Sequence, residues 1–319
     1  MRSNYTGQHA VVTGGAGFIG SHLADELLRI GMKVTIIDNL LTGTRKNIPL
    51  GVQFIEADVC IVKLPYMPTD YVFHLASPAS PIDYAEYPIE TLLVGSAGTL
   101  NMLNYAKSSG AKFILASTSE VYGCAEINPQ PESYWGSVNS VGPRSMYDEA
   151  KRFAEAATMA YHDACGLDTR IARIFNSYGP RMRPTDGRVV SNFIRCAIEG
   201  LPVEITGDGS QTRSFCYVAD TVDGLIKLAL SDYHLPVNIG NPNEITIRTL
   251  AEKIMKLFDS VCQVRYLESR IDEPYNRRPD ITIAKQVLGW EPKVNLADGL
   301  NKTYGWMKGE LDVREKYQT

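Results

Sequence analysis

The sequence contains no basic run longer than two residues, and its formal net charge is −4 over 319 residues. Binding to nucleic acid or to an anionic membrane needs a positive field that this chain does not have. No apolar stretch approaches the roughly 20 residues that span a bilayer. The opening Met1-Arg-Ser-Asn-Tyr-Thr-Gly7 has no apolar signal core. The six cysteines (Cys60, Cys124, Cys165, Cys196, Cys216, Cys262) form no Cys-x-x-Cys pair. Neither a zinc site nor a redox pair is therefore expected. Scattered unpaired thiols fit a reducing compartment. The expectation is a cytoplasmic protein with no metal and with neither nucleic acid nor membrane as partner.

What is present is ordinary in bulk. Apolar residues make up 44% and charged residues 21% of the chain, enough for a normal core. The length suits one large domain, or a main domain with a smaller lobe. Short apolar runs alternate with helical patterns. Strands are read at Gln8–Thr13, Lys33–Asp38, Val52–Ile55, Tyr71–Leu75, Lys112–Ala116 and Asp168–Ile174. Helices are read at Ser21–Gly31, Pro88–Ser109 and Ser145–Cys165, the last closed by Gly166. Asn39–Leu50 reads as a loop with at most one turn, and Asn128–Pro143 as a loop. This alternation predicts an α/β fold, a doubly wound parallel sheet of Rossmann type. After Asn176 the rhythm breaks into short elements with turns. A smaller C-terminal substrate-binding lobe is expected there, spanning 176–215 and 241–312. Residues 1–175 form the dinucleotide-binding domain, to which 216–240 return through Val218–Leu230 and Val237–Ile239. Leu250–Phe258 and Leu296–Met307 read as helical.

Gly14, Gly17 and Gly20 lie between the first strand and the first helix. Glycine allows the tight turn, close approach of backbone to a pyrophosphate, and close helix packing. The free N–H groups of the helix then face the phosphates. The alternative is a tight turn with no ligand, for which three spaced glycines are a poor choice. Asp38 closes the second strand, where a carboxylate bonds a ribose 2′-hydroxyl and repels a 2′-phosphate, favouring NAD over NADP. It also suits a plain turn before Asn39. Asp58, followed by Val59, is in reach of the adenine and equally reads as a surface aspartate. Phe73, Leu75, Ala76 and Ser77 sit at the end of the fourth strand, beside the expected nicotinamide. Candidate cofactor residues are thus Gly14, Gly17, Phe18, Ile19, Gly20, Asp38, Asn39, Asp58, Val59, Leu75, Ala76 and Ser77. His74 reads as structural, since no metal partners stand at useful spacing.

Ser117-Thr-Ser-Glu-Val-Tyr-Gly123 follows a buried strand, where ligand sites of open α/β sheets lie. Glu120 is its odd member, because a charge there needs a partner or a task. Tyr147 and Lys151 stand at i and i+4, on one helix face. A nearby ammonium favours a phenolate and lowers the phenol pKa from about 10. The pair is a workable base for a sugar hydroxyl, with Thr118 completing a hydrogen-bonded relay. The spacing alone also fits an exposed amphipathic pair.

Together, Thr13-Gly-Gly-Ala-Gly-Phe-Ile-Gly20, Asp38, Thr118 and Tyr147-Asp-Glu-Ala-Lys151 resemble the extended short-chain dehydrogenase/reductase family, which uses nucleotide sugars. The resemblance runs from about His9 to Trp290. His74–Pro81, Ser117–Gly123, Arg173–Asn176, Asp186–Phe193, Gly209–Arg213 and Arg277–Asp280 are similar to its branch that decarboxylates UDP-glucuronate. That resemblance implies tightly held NAD, which Tyr147 and Lys151 also contact. It implies a UDP-sugar acid (UDP-glucuronate) as substrate and a homodimer formed through helices of the Rossmann domain. Arg188 and Arg213 resemble diphosphate contacts and Asn176 a further UDP contact. Arginine suits both phosphate and carboxylate, because its planar fork bonds two oxygens. Arg277 resembles the arginine acting at the sugar carboxylate. Tyr217 either touches the nucleotide or packs in the core. Leu201–Ile205 either borders the uracil or is an ordinary apolar strand.

The implied reaction is oxidation at C4, loss of carbon dioxide from the resulting β-keto acid, and return of hydride. UDP-xylose results, with no net use of NAD. Thr118, Tyr147 and Lys151 serve the oxidation, while Glu120 and Arg277 bracket C5 and C6. Glu120 positions a water, or acts as an acid where burial raises its pKa. An enzyme releasing the 4-keto pentose and NADH would carry nearly the same motifs. A 4,6-dehydratase resembles Thr-Asp-Glu at this strand end, whereas Ser119 stands here. A 4-epimerase usually lacks the counterpart of Glu120. A non-catalytic NAD-binding sensor would be free to lose Tyr147 and Lys151.

Overall fold

The computed structural model describes residues 5–268 and 275–317, with side chains described as far as Asp312. The first half holds strands β1 (His9–Thr13), β2 (Lys33–Asp38), β3 (Gln53–Glu56), β4 (Tyr71–His74), β5 (Lys112–Thr118) and β6 (Thr169–Ile174). Between them run α1 (Phe18–Arg29), α2 (Pro81–Glu86), α3 (Pro88–Leu93), α4 (Thr99–Ser109) and α5 (Ser145–Cys165). β1, β2 and β5 are buried along almost their whole length, as strands covered by helices on both faces must be.

The second half adds β7 (Ser177–Tyr178), α6 (Val189–Glu199), β8 (Val203–Thr206), β9 (Thr212–Ser214), β10 (Cys216–Tyr217) and α7 (Val218–Leu230). It continues with β11 (Pro236–Ile239), β12 (Glu244–Thr246), α8 (Ile247–Leu257), β13 (Val264–Leu267), β14 (Asn276–Arg277), α9 (Thr282–Leu288) and α10 (Leu296–Tyr317). Seven parallel strands of the described residues form one sheet in the order β11-β6-β5-β4-β1-β2-β3. β11 thus returns to pair with β6. The small sheets β12-β9-β14 and β13-β8 lie in the later part of the chain, with α6, α8 and α10 packed around them.

Side chains alternate across the sheet. Ala10 and Val12 join the cluster containing Leu23 and Leu27 of α1, and Val11 joins the opposite one with Met102, Leu103 and Ala154. Strand order reverses between β1 and β4, and the crevice at such a switch point is where open sheets bind ligands.

Several boundaries differ from the sequence expectation. α1 starts at Phe18, inside the glycine loop, because Gly20 can sit in its first turn against Gly14. β5 continues through Ser117 and Thr118, which pair with Arg173 and Ile174. The helix expected over 88–109 is interrupted by a π-helical segment, Val94–Gly98. Gly95 lies there against α5, and a Cβ on it would stand 2.5 Å from that of Ala150. The loop 39–50 contains one 3-10 turn, Arg45–Asn47. α2 was not evident from apolar periodicity. It is nucleated by Ser80, whose Oγ accepts from the Asp83 N–H at 3.1 Å, and by Pro81 at its first position.

Candidate active site

A cavity of about 460 Å³ opens at the carboxyl ends of the central strands, between the sheet and the later elements. It runs from Gly14 to Arg277. Of the residues singled out in the sequence, Gly14, Gly17, Phe18, Ile19, Gly20, Asp38, Asn39, Asp58, Val59, Leu75, Ala76, Ser77, Thr118, Ser119, Glu120, Tyr147, Lys151, Asn176, Arg188, Arg213 and Arg277 line it. Tyr217 does not. It is 8% exposed and packs edge-on against Tyr178 at 5.8 Å, so it is a core residue rather than a nucleotide contact. Ile205 lines the cavity, and Leu201 does not.

At the sheet's switch point Gly14 has φ +70°, and a Cβ on it would meet the Ala76 nitrogen at 2.8 Å. A Cβ at Gly20 would stand 2.2 Å from the Gly14 carbonyl oxygen. α1 therefore begins against the loop, with no side-chain cap at Gly17. Its first N–H groups stay available to a pyrophosphate. Asp38 is nearly buried and accepts from the Ala16 N–H at 3.0 Å and the Leu40 N–H at 2.8 Å. Burial pushes its carboxyl above the ordinary value, against the pull of those two bonds. It is thus both a turn aspartate and an acceptor on the cavity wall. Cradle and carboxylate together fit a dinucleotide with a free 2′-hydroxyl. His74 lies buried between Thr13 Oγ1 (2.8 Å) and Thr99 Oγ1 (3.2 Å). Burial and Lys151 push its pKa down to about 3, so it is a neutral structural group.

Thr118 ends β5, and a 3-10 turn, Ser119–Tyr122, follows. Gly123 closes that turn at φ +58°, where a Cβ would strike the Ser137 carbonyl oxygen at 1.9 Å. Thr118 Oγ1 accepts from the Glu120 N–H at 3.2 Å and also hydrogen-bonds the Tyr147 hydroxyl. Tyr147 is 6% exposed, with the Tyr84 ring stacked on it at 5.2 Å and 13°. The expected lowering of its pKa by Lys151 is not what the structure has. Burial raises it, with the Thr118 hydrogen bond as the main opposing influence. Lys151 Nζ donates to the Ala116 carbonyl at 3.0 Å and lies 5.9 Å from the Tyr147 ring centroid. Burial brings Lys151 itself down to about 8, against the pull of Glu155.

Glu120 lies between two guanidinium groups. Arg277 Nη2 donates to its Oε2 at 2.9 Å, and Arg144 forms a second ion pair with the same oxygen. Burial pushes its carboxyl upward, but Arg277, Arg144 and Arg213 outweigh it and hold Glu120 below the ordinary value. The reading of Glu120 as an acid raised by burial is thereby corrected; it is ionised. Arg277, 1% exposed, also donates from Nη1 to the carbonyls of Ser119 (2.8 Å) and Gly123 (3.1 Å). It holds the turn after β5 as much as it faces the cavity. Ser119 is 2% exposed. Arg188 reaches the Ala79 carbonyl at 2.6 Å and Asp186 at 3.5 Å. Arg213 donates to the carbonyls of Thr212 and Tyr275, and Asn176 to that of Ser214.

Arg144, Tyr84 and Asp148 were not singled out from sequence. Arg144 immediately precedes α5 and gave no signal from helical spacing. Tyr84 and Asp148 gave none, since stacking and burial are tertiary facts. Among the described residues no group of three or more potential metal ligands comes together, and no helix is long and apolar enough to cross a membrane.

Comparison with known proteins agrees with this geometry. Residues 10–240 match the NAD dependent epimerase/dehydratase family. The chain is 50% identical over 313 residues to UDP-glucuronic acid decarboxylase 1 of Danio rerio, covering 97% of this chain and 74% of that protein. It is 50% identical over 296 residues to UDP-glucuronic acid decarboxylase 5 of Arabidopsis thaliana, covering 91% and 86%. Among solved structures, the UDP-glucose 4-epimerase of Thermotoga maritima with UDP-glucose superposes with a TM-score of 0.88. It is 30% identical, covering 95% of this chain and 100% of that one.

Proposed function

The chain belongs to the NAD dependent epimerase/dehydratase family, and we propose that it decarboxylates UDP-glucuronate to UDP-xylose. The observation that carries this reading is an ionised Glu120 held between Arg144 and Arg277 on the wall shared with Tyr147 and Thr118. A site that only moved hydride at C4 would have no need of this array, and the two relatives at 50% identity are named UDP-glucuronic acid decarboxylases. The enzyme uses NAD, which fits the Gly14–Gly20 cradle and Asp38. Bound NAD supplies reversible hydride acceptance at C4.

Tyr147 takes the proton of the 4-hydroxyl. The Thr118 hydrogen bond and the Arg188 charge favour its phenolate against its burial. Once C4 is a ketone, the C6 carboxylate is β to it, and carbon dioxide leaves as the bonding electrons run into the carbonyl. The Tyr147 hydroxyl then donates to the enolate oxygen. Glu120, being ionised, orients a water toward C5 rather than giving up a proton of its own. Arg188, Arg213 and Asn176 hold the diphosphate side. We assign residues 1–175 with 216–240 to cofactor binding, and 176–215 with 241–312 to the UDP-sugar.

A homodimer is part of the same reading. α3 packs along α5, and Ile89 and Leu92 on the first and Phe153 on the second are 61%, 41% and 44% exposed. The six cysteines form no disulfide among the described residues, which suits a cytoplasmic location.

Incubation with UDP-glucuronate and NAD tests the function. Carbon dioxide and a UDP-pentose are expected without accumulation of NADH, and Tyr147→Phe is expected to lose about 10²- to 10⁴-fold in turnover. NADH formed in step with carbon dioxide would replace this reading with release of the 4-keto sugar. Absence of carbon dioxide would remove it.

A further inference from the structure

The mechanism above makes no use of the buried carboxyl next to Tyr147. Asp148 follows Tyr147 on α5 and is 6% exposed. Its Oδ1 is sealed from water with no hydrogen-bond partner among the described residues. It does not line the cavity. The charged and titratable groups that act on it or feel it are Glu120 on the catalytic turn, Arg144 before α5, Arg277 on β14, Glu149 and Tyr147 on α5, and Tyr84 on α2.

An ionised carboxylate is stable in a protein interior when its oxygens accept hydrogen bonds, and a buried oxygen without one is costly. A protonated carboxyl bears that position at much lower cost. The first turn of α5 favours the charged form, as do Arg144 and Arg277. Burial and the negative charge of Glu120 act the other way, and the balance lies at about 7. Asp148 is therefore poised to titrate in the array that receives the substrate.

The substrate brings a further negative charge. Its carboxylate must enter beside Glu120, within an array whose positive charge comes from Arg144, Arg277 and Arg213. We propose that Asp148 is the proton-linked group of this site, so that binding of the sugar carboxylate takes up a proton there, whereas binding of the decarboxylated sugar does not. This inference rests on the decarboxylase reading. Coupling of this kind is reciprocal. If the sugar carboxylate raises the proton affinity of Asp148, an ionised Asp148 lowers the affinity for the sugar acid by the same factor. Asp148 ionises above about 7 in the free enzyme, so affinity for UDP-glucuronate declines as pH rises through that value. Affinity for UDP-xylose stays level. Asp148 would thus help the site tell the acid from its own product.

Calorimetric titration of the NAD-loaded Tyr147→Phe variant, in which turnover is slowed, tests this. Run near pH 7.5 in two buffers of different ionisation heat, it should report fractional proton uptake with UDP-glucuronate and none with UDP-xylose. Adding Asp148→Asn should abolish the uptake. In the otherwise native enzyme, KM for UDP-glucuronate should rise on the order of tenfold from pH 6 to 8.5, for one unit of upward shift in the complex. In Asp148→Asn it should stay flat. Equal proton uptake with both ligands would overturn the proposal without recourse to any Asp148 variant. So would a pH profile unchanged in Asp148→Asn. If the native enzyme releases no carbon dioxide from UDP-glucuronate, the functional reading fails first; if it does release it and no uptake is seen, only this inference fails.

Discussion

Glu120 is charged because two guanidinium groups outweigh its burial, and each of those groups depends on it in turn. Arg277 is almost wholly enclosed, so neutralising its carboxylate partner leaves a buried charge half compensated. Removing one member of a buried pair typically costs about 3–5 kcal/mol. Glu120→Gln is expected near the lower end, since Arg277 keeps its bonds to the Ser119 and Gly123 carbonyls. Denaturant unfolding reads the loss, and decarboxylation should fall together with it. Unchanged stability would mean that the backbone carbonyls alone hold Arg277. At this scale the sequence was informative about identity and poor about state. Tyr147, Lys151 and Thr118 could be named from spacing and strand context. The direction of the Tyr147 shift could not, because it is set by burial among residues from distant parts of the chain.

At the scale of elements, the site rests on the meeting of α1 with the loop after β1. A Cβ at Gly20 collides with the backbone of Gly14, not with a side chain that can turn aside. Gly20→Ala should therefore push the α1 terminus off the cradle. The expected result is protein purified with little bound NAD, measured by cofactor released on denaturation, while far-ultraviolet circular dichroism stays close to native. Full NAD content in the variant would show that the loop can yield. The helices α2 and α3 illustrate the opposite case. α2 is a short capped turn that carries Tyr84 onto Tyr147, and apolar periodicity has no purchase on six residues. The π-helical segment after α3 keeps helical spacing in sequence, so a single helix was the natural reading. Gly95 against Ala150 is the contact that makes the interruption intelligible.

At the scale of the whole molecule, the cavity exists because the later elements fold back over the sheet. Arg277 meets Glu120 across 157 residues of sequence. The clasp is polar on both sides: Arg183 bonds both oxygens of Asp83 at 2.6 and 2.5 Å, and Arg188 reaches Ala79. Ile89 and Leu92 of α3 and Phe153 of α5 are exposed, which is the surface assigned above to a second copy. Ile89→Asp combined with Phe153→Glu should shift the protein from dimer to monomer in light scattering. Loss of activity should follow only as far as α5 is disturbed. A native enzyme that is already monomeric would end the dimer proposal.

The sequence by itself determined the sheet and most of its helices and placed three glycines between the first strand and the first helix; Thr118, Tyr147 and Lys151 were candidates whose spacing also fitted an exposed pair. These are local features, written in periodicity, turn chemistry and fixed spacing. The tertiary structure alone decided that Tyr217 packs in the core, that Glu120 is ionised between Arg144 and Arg277, and that Asp148 lies buried with an oxygen that has no hydrogen-bond partner among the described residues. The physical reason is that burial and charge are sums over neighbours brought together from distant parts of the chain. A residue's spacing along one helix or strand carries only the nearest terms of that sum.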